Sequence, residues 1–394
     1  MIDSPTQNLD GAGSSAPERR LVIVSPDRAT RTVAGRDRVL KDLEVDLERL
    51  RQMPGYSIAR IELKRKSLPR VLLSWLFSLK TIPECFYESP PEADLKGADR
   101  VLLIGAGAFG AMPRRALNRI PAIFDADDDY GIRLREWRRT GVGYAAGLLG
   151  AAHGRLIQRV LGSPIGYFVN WIEALNARGL NRRVKKTCEF VSYTNPDEAA
   201  DDQDTDMRVA MPPRFQVRRE LVAAEGAPKF FFIGTDRLAQ NKLALQQLVA
   251  LWKTCEFEFP LHVHGDISEP IEAPNVIYQG FVERVEDAFP ANGVLLYPAQ
   301  LGGGLKIKLL ESVEWGVPFL TEPTGVHGFG DSAQAFIVRE DWESAIRSAH
   351  TPSGIAALRS QMSKLQPSLK HRFNSVRDES LNRMFGLPAP GDRT

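Results

Sequence analysis

The sequence predicts an α/β fold made of two Rossmann-like domains with a cleft between them. Short apolar runs of strand length alternate with longer runs of helical period in both halves, and a polar, acidic stretch at residues 197–206 separates the halves. The 394 residues are enough for two hydrophobic cores, and a composition of 43% hydrophobic and 25% charged residues is typical of a soluble globular protein. Parallel sheets bind ligands at the carboxyl ends of their strands, so we expect the functional site between the halves.

The first half begins with a buried strand and continues with the strand and helix alternation of a parallel sheet. Leu40, Leu43, Leu47 and Leu50 recur at helical spacing between the first two apolar strands. The predicted strands are residues 20–25, 57–63, 100–105, 122–125 and 188–192, and the predicted helices are residues 37–53 and 113–120.

The second half repeats the alternation and ends in helices. Its predicted strands are residues 230–234, 261–265, 275–282, 294–298 and 318–322, and its predicted helices are residues 241–253, 305–315 and the stretch 341–385. These patterns divide the chain into a disordered tail (1–18), an N-terminal domain (19–206), a linker (207–228), a C-terminal domain (229–365), and a C-terminal helix and tail (366–394).

The most informative stretch of the second half joins a buried strand, a glycine loop and a helix. The strand at residues 294–297 is followed by three glycines at 302–304 and by the helix of residues 305–315. Backbone N–H groups at such a helix start point outward and bind phosphate, and Lys306 and Lys308 add positive charge there. The sequence therefore predicts a site for an anionic ligand at this loop.

Three segments between residues 229 and 330 resemble a known family. They are FFIGTDRLAQNKLAL, NVIYQGFVERVEDAF and YPAQLGGGLKIKLLESVEWGVPFLTEPTGVHGF. They resemble the nucleotide-sugar-binding domain of GT-B fold glycosyltransferases, in the large retaining group that includes many cell-envelope and polysaccharide sugar transferases. The resemblance implies a GT-B fold and a hexosyltransferase that moves a sugar from a nucleoside diphosphate sugar to an envelope polysaccharide or lipid-linked saccharide. It also implies that no metal and no further cofactor is needed.

The resemblance assigns donor contacts to several loops of the second half. Glu311 matches a Glu that takes the ribose hydroxyls in the family, because a carboxylate accepts hydrogen bonds from both hydroxyls of a diol. Many relatives carry an acidic residue eight positions earlier, where this chain has Gly303, so the donor sugar stays open. Without the loop context, Glu311 and the nearby lysines are ordinary exposed helix residues. The predicted donor-binding residues are Gly234, Arg237, Lys242, His264, Val282, Gly303, Gly304, Lys306, Lys308, Glu311 and His327.

An acidic run, FDADDDY at residues 124–130, follows a strand of the first half. Four carboxylates so close together cannot be buried unpaired, so they lie at a surface or cleft. Asp125 and Asp128 resemble a D-x-x-D near the acceptor pocket of GT-B relatives and are the predicted catalytic residues. One of them takes the acceptor proton if transfer inverts the anomeric centre, and they orient the acceptor if transfer retains it. A metal-binding DxD of GT-A transferases and a capped turn before a helix stay open as alternatives.

Two other functions compete with sugar transfer. GAGAFG at residues 105–110 matches the glycine pattern of dinucleotide-binding sites, and Asp125 lies 20 residues beyond Gly105, near the spacing of a ribose-binding acid. This predicts an NAD-dependent oxidoreductase. Met112-Pro113 and the late position of the motif in the domain oppose it. A non-catalytic sugar-nucleotide-binding protein is the second alternative, because Gly303 replaces an acidic residue.

The charge distribution and the cysteine spacing limit which partners and which cell compartment we expect. Residues 51–186 contain 23 Lys and Arg against 12 Asp and Glu. Within them, residues 64–80 form a basic amphipathic segment that predicts docking on an anionic membrane, with Val71, Leu72, Trp75, Leu76 and Leu79 on one face. A core helix with basic flanks is the alternative. The three cysteines are far apart and match no metal site. We expect no nucleic acid partner, and a cytoplasmic location that includes peripheral contact with the inner face of the cell membrane.

Overall fold

The computed structural model describes residues 19–26, 34–53, 55–76, 86–104, 108, 111–113, 116, 122–125, 188–192, 208–210, 213–220, 226–298, 300, 305–326 and 328–385. Within these ranges, no helix has both the length and the apolar character needed to cross a bilayer.

Six parallel strands form the sheet of the first half, in the order β2-β1-β3-β4-β5-β6. They are β1 (Arg19–Pro26), β2 (Tyr56–Leu63), β3 (Arg100–Ile104), β4 (Ala122–Asp125), β5 (Cys188–Ser192) and β6 (Arg208–Ala210). Helix α1 (Ala34–Arg51) connects β1 to β2, α2 (Leu68–Leu76) follows β2, and a short 3₁₀ helix, Glu92–Leu95, precedes β3. Val22, Val24, Val101 and Leu103 are fully buried, as the continuous apolar runs of a sheet covered on both faces predict.

Five parallel strands form the sheet of the second half, in the order β11-β10-β7-β8-β9. They are β7 (Lys229–Ile233), β8 (Leu261–His264), β9 (Val276–Gly280), β10 (Gly293–Tyr297) and β11 (Phe319–Thr321). The helices are α3 (Ala239–Cys255), α4 (Val285–Ala288), α5 (Ile307–Glu314), α6 (Trp342–His350) and α7 (Pro352–Phe385), and 3₁₀ turns lie at Pro323–Val326 and Asp331–Phe336.

Helix α5 ends where its sequence predicts. Gly316 has φ 64°, a left-handed conformation that glycine adopts without steric cost. Its N–H donates to Val313 O at 3.0 Å, and Ser312 Oγ donates to Val317 O at 2.7 Å, which satisfies the polar groups of this buried turn. The turn leads directly into β11 and places β11 beside β10.

Helix α7 connects the second half to the first through a buried ionic cluster. Arg377 on α7 is fully buried, and its Nε donates to Asp46 Oδ2 on α1 at 2.8 Å. Arg214 Nη2 donates to Asp46 Oδ1 at 2.9 Å and to Asp378 Oδ1 at 3.1 Å. The cluster therefore joins α1, the segment after β6 and α7.

The α/β class and the two parallel sheets predicted from the sequence are confirmed. The strands agree with the predicted ranges to within a few residues. Two predicted segments differ from the observed elements. β6 belongs to the first sheet although residues 207–228 were assigned to a linker, and α7 runs without a break through residue 365. The predicted helix at residues 113–120 and the tail 1–18 lie largely or wholly outside the described residues.

Candidate functional site

The chain reverses direction across the second sheet between two neighbouring strands. β7 and β10 are adjacent, but the chain leaves β7 towards β8 on one side and leaves β10 towards β11 on the other. The loops after two such strands diverge and leave a crevice outside the carboxyl ends. Those loops are residues 234–238 and residues 298–306, and of the second loop 299 and 301–304 lie outside the described residues. We take the carboxyl edge of the sheet between β7 and β10, where the strand order leads us to expect this crevice, as the candidate functional site.

The segment after β7 carries two basic side chains, and both pair with carboxylates of the neighbouring loop. Arg237 Nη2 lies 2.7 Å from Asp266 Oδ2, and Lys242 Nζ, in the first turn of α3, lies 3.3 Å from Glu269 Oε2. Both carboxylates belong to the loop after β8. Solvent-accessible pairs of this kind contribute about 0–1 kcal/mol each, so an incoming anion can exchange with the carboxylates.

Asp236 holds the loop after β8 against the loop after β7. Its Oδ2 accepts hydrogen bonds from Ser268 N at 2.9 Å, Ser268 Oγ at 2.7 Å and Glu269 N at 3.1 Å. Burial alone would raise the pKa of Asp236, but the hydrogen bonds from Ser268 and Glu269 lower it. Gly265 has φ 131°, and a Cβ on it would lie 1.8 Å from Gly234 O. Only glycine permits this close approach of the two loops.

A lysine amine occupies the space between the ends of β7 and β10. Lys308 Nζ donates to Ile233 O at 2.6 Å and to Asn241 Oδ1 at 2.8 Å. It also lies 4.2 Å from the centroid of the Tyr297 ring, a cation–π distance. Tyr297 Oη donates to the same Asn241 Oδ1 at 3.2 Å. The amine is thus enclosed by polar and aromatic partners from three elements.

Helix α5 brings two further predicted donor residues close to Lys308. Lys306 immediately precedes the helix and is buried, and Glu311, one turn after Lys308, is half-buried. Burial first, and then the charge of Lys306, lower the pKa of Lys308 to about 7, while the charge of Glu311 acts in the opposite direction. The three side chains therefore belong to one electrostatic group at the crevice.

His264 and Val282 lie at the ends of β8 and β9. His264 is 4% exposed, and its ring packs edge-on against Phe231 with 6.1 Å between centroids. In the part of the chain that the structure describes, neither ring nitrogen has a hydrogen-bond partner. Burial, followed by the charge of Lys229, lowers the pKa of His264, which favours the neutral ring. Val282 is half-buried two residues after β9. Donor contact by either residue stays a prediction.

Other predicted residues are not placed by the structure. Gly303, Gly304, His327 and Asp128 lie outside the described residues, and Asp125 is the last residue of β4, at the carboxyl edge of the first sheet. Apart from Ala108, the GAGAFG motif also lies outside them. It follows β3, whereas a dinucleotide fingerprint follows the first strand of its unit.

The sequence analysis missed two residues of this site, Asn241 and Tyr297. A signal for Asn241 exists, because it shares the buried face of α3 with Ala244, Leu245 and Leu248 at helical spacing. A polar residue on an apolar face needs a buried partner. The sequence alone does not show that this partner is a lysine 67 residues away.

A cavity of about 370 Å³ lies at the edge of the first sheet where the strands begin, opposite to the carboxyl edge that carries Asp125. It is formed where β1, β2 and β3 begin, and it is lined in part by Arg19, Arg20, Tyr56, Asp99 and Arg100. Sheets of this type bind ligands at the carboxyl ends of their strands. This cavity is therefore not part of the candidate site.

Comparison with known proteins identifies the fold. No family model matches the chain, and no curated protein matches it. Sucrose-phosphate synthase from Thermosynechococcus elongatus is 11% identical, with 93% of this chain and 97% of that chain covered and a TM-score of 0.55. Anabaena HepE in complex with UDP-glucose is 9% identical, with 93% and 100% covered and a TM-score of 0.53. WaaG, a glycosyltransferase involved in lipopolysaccharide biosynthesis, is 12% identical, with 93% and 100% covered and a TM-score of 0.50. At these identities the likeness establishes architecture, and the chain has the GT-B glycosyltransferase fold that its second half predicted.

Proposed function

We propose that this protein transfers a sugar from a nucleoside diphosphate sugar to an envelope polysaccharide or lipid-linked saccharide, without a metal ion. The observation that carries the proposal is the crevice between β7 and β10. Arg237 and Lys242 belong to the segment that follows β7, and Lys306 and Glu311 belong to the segment that follows β10. Cations next to a carboxylate suit a ligand that has a diphosphate attached to a ribose. The complex of HepE with UDP-glucose supports this ligand class.

The chemistry follows from the charges around the crevice. A nucleoside diphosphate leaves as negative charge develops on its β-phosphate, and positioned cations and a helix N-terminus stabilise that charge. Arg237 and Lys242 exchange Asp266 and Glu269 for the diphosphate, and Glu311 accepts hydrogen bonds from the ribose hydroxyls. These groups supply the stabilisation for which other transferases use a divalent ion.

The acceptor side of the proposal rests on the acidic run after β4. Asp125 ends β4 at the carboxyl edge of the first sheet. We assign Asp125 and Asp128 to the acceptor, either as the base that takes the hydroxyl proton or as groups that orient it. Separate measurement of the anomeric configuration of the product decides between these two roles.

The test is release of nucleoside diphosphate from a panel of UDP, GDP, ADP and dTDP sugars, with saccharide and lipid-linked acceptors. Glu311→Ala should lower kcat/KM about 10- to 100-fold, because hydrogen bonds to a charged group contribute about 1.5–3 kcal/mol. Glu258→Ala, an exposed carboxylate in the turn after α3, is the matched control and should have no effect. Unchanged turnover in Glu311→Ala would remove the assigned site, and donor binding without turnover would favour a non-catalytic binding protein.

We also propose that α2 docks the protein on an anionic membrane. Three leucines of this helix, which we call the α2 leucine face, are exposed: Leu68 by 68%, Leu72 by 49% and Leu73 by 56%. Lys64, Arg65 and Arg70, also exposed, flank or interrupt this face. The sequence placed Val71 on the docking face, but Val71 is 2% exposed and is therefore not available to a membrane. The side chains of Trp75, Leu76 and Leu79 are not among those that the structure describes.

The combination of exposed leucines with cations fits an anionic lipid surface. Burial of a leucine side chain contributes about 1.5–3 kcal/mol, and each Lys or Arg near an anionic surface adds about 1 kcal/mol. A lipid-linked acceptor would then be reached at the same surface. The docking proposal concerns a partner, and its failure would leave the donor site unaffected.

Vesicle sedimentation tests this docking. Wild type should bind phosphatidylcholine vesicles that contain phosphatidylglycerol, should bind pure phosphatidylcholine much less, and should lose binding as salt rises. Leu72→Ser with Leu73→Ser should reduce binding at least tenfold, because about 3 kcal/mol or more of apolar transfer is lost. Ile277→Ser, an exposed apolar residue on β9, is the control. Equal binding by the double variant and wild type would rule out the α2 leucine face as the docking surface.

A further inference from the structure

Lys308 lies where a ligand for the donor phosphate was expected, but its amine already has partners. Nζ donates to Ile233 O at 2.6 Å and to Asn241 Oδ1 at 2.8 Å. The ring of Tyr297 lies 4.2 Å away, measured to its centroid. An ammonium group has three N–H donors, so two of them are committed to protein acceptors and the aromatic ring covers a further side. Little of the amine is left for a phosphate.

The partners of Lys308 are the points from which the basic side chains of the crevice start. Ile233 is the last residue of β7 and precedes the loop that carries Arg237, and Asn241 precedes Lys242 in the first turn of α3. Asn241 is 4% exposed and also accepts from Tyr297 Oη at 3.2 Å. Because Lys308 itself belongs to α5, its amine ties the two walls of the crevice together.

Asn241 also contacts the first residue of the loop after β7, Gly234. A Cβ placed on Gly234 would lie 2.9 Å from Asn241 Nδ2, so the amide packs directly on the loop backbone. Movement of Asn241 would therefore move the start of the loop and the start of α3 together. The positions of both basic side chains depend on this one amide.

We propose that Lys308 is a positioning residue, which holds Asn241 and the end of β7 so that Arg237 and Lys242 meet the donor diphosphate, and that it does not itself bind the phosphate. This inference rests on the proposed function, because it concerns how the same site holds a nucleoside diphosphate. It also distinguishes Lys308, whose amine is held by protein partners, from Lys242, whose half-buried side chain pairs with the exposed Glu269 and can exchange it for a phosphate.

Positioning and direct phosphate contact differ in their need for charge. A neutral amine still has two N–H groups, and Lys308 has two protein acceptors, so positioning survives deprotonation. A phosphate contact needs the ammonium form. The charged groups that act on the amine are Lys306 and Glu311 on its own segment, and Tyr297 on β10 is the other titratable group beside it. Among the described residues, β7 adds the Ile233 carbonyl and the ring of Phe232, whose centroid lies 5.2 Å from the amine, and neither is titratable. Helix α3 adds Asn241, with Lys242 directed to Glu269.

Because burial lowers the pKa of Lys308 to about 7, the two roles can be separated near neutral pH. The experiment measures the Kd of UDP and of GDP by calorimetry for wild type and Lys308→Met at about pH 6 and about pH 8.5. We expect Lys308→Met to raise Kd on the order of tenfold, as loss of a buried hydrogen-bond donor predicts, by the same factor at both pH values. A factor that falls several-fold at the higher pH would show direct ionic contact and overturn the inference.

A double-variant cycle gives an independent readout. If Lys308 acts through Asn241, then Lys308→Met combined with Asn241→Leu should weaken UDP binding no more than the stronger single variant. Multiplied effects would overturn the inference. Lys253→Met, an exposed lysine at the end of α3, is the matched control and should leave Kd unchanged.

Two further outcomes also test the inference, namely a variant that does not fold and a wild type that binds no nucleotide. If Lys308→Met does not fold, Lys308→Gln, which also removes the charge, carries the same test, and its Kd ratio to wild type should be constant between the two pH values. If wild type binds neither UDP, GDP, ADP nor dTDP at any pH, the proposed function fails and this inference fails with it. Binding with a pH-dependent ratio overturns the inference alone.

Discussion

Two regions of the molecule depart from the usual distribution of polar and apolar side chains, in opposite directions. At the crevice, the half-buried Lys308 holds a cationic amine among protein partners, whereas lysine amines usually lie in water. On the surface, Leu68, Leu72 and Leu73 of the α2 leucine face are 49–68% exposed. The amine has partners within the chain, namely Ile233 O, Asn241 Oδ1 and the ring of Tyr297.

The two regions differ in where their partners lie. A buried polar group whose hydrogen bonds are satisfied inside the protein stabilises one arrangement of its neighbours, so its function is to position them. The described part of the chain leaves the apolar face of α2 uncovered, and the docking proposal assigns its partner to a membrane surface. The same departure from the usual distribution thus indicates structure at Lys308 and an external surface at α2.

The largest effect is expected at a second buried cation with internal partners, Arg377. Arg377→Met removes the Nε donor to Asp46, which is 3% exposed, and leaves that carboxylate with Arg214 as its remaining partner. Breaking a buried pair costs about 3–5 kcal/mol, and the remaining Arg214 places the expected loss near the lower value. Urea unfolding measures the free energy of unfolding. Arg51→Met, which breaks an exposed pair with Glu48 on the same helix α1 as Asp46, is the control and should change it by less than about 1 kcal/mol. Equal losses of unfolding free energy in the two variants would show that the buried pair stabilises the protein no more than the exposed pair does.

A smaller, pH-dependent effect is expected at Lys308. Its pKa is about 7 in the folded protein and returns to 10.5 on unfolding, so the unfolded chain binds more protons between these values. Stability contributed by this group therefore rises with pH above about 7, and the cost of the buried charge is fully present below that pH. Relative to Lys308→Met, wild type should gain about 1 kcal/mol between pH 7 and pH 8. The difference between the two unfolding free energies, measured at each pH, checks this. A flat difference would mean that the amine keeps its ordinary pKa.

The sequence predicted the strands, helices and turns of both regions better than the contacts of individual side chains. Apolar runs and glycine positions predict strands and turns, because burial and a left-handed φ restrict the choice of residue, as at Gly316. The sequence also predicted donor contacts in α5 and in the segment after β7, and both segments follow neighbouring strands of the second sheet.

Two details depend on contacts between distant segments, which local spacing does not encode. Lys308 was predicted to face the ligand, since a basic residue at a helix start is ordinarily exposed, but the ends of β7 and β10 enclose its amine. Val71 and Leu72 were predicted on one face of a basic amphipathic segment. Adjacent helix residues point in different directions, and in the structure Val71 is buried and Leu72 is exposed.

The smallest effect on stability is expected at the α2 leucine face. Leu72→Ser and Leu73→Ser remove side chains that are already 49% and 56% exposed, so little buried apolar area is lost on folding. Substitutions at such positions usually change the free energy of unfolding by less than about 0.5 kcal/mol. Val71→Ser on the same helix is the matched control, and it should cost about 2 kcal/mol because Val71 is 2% exposed. Urea unfolding of the three variants without lipid provides the measurement. A loss at Leu72 and Leu73 as large as that at Val71 would show that the leucines pack within the protein, and the α2 leucine face would then have its partner inside the chain, like Lys308.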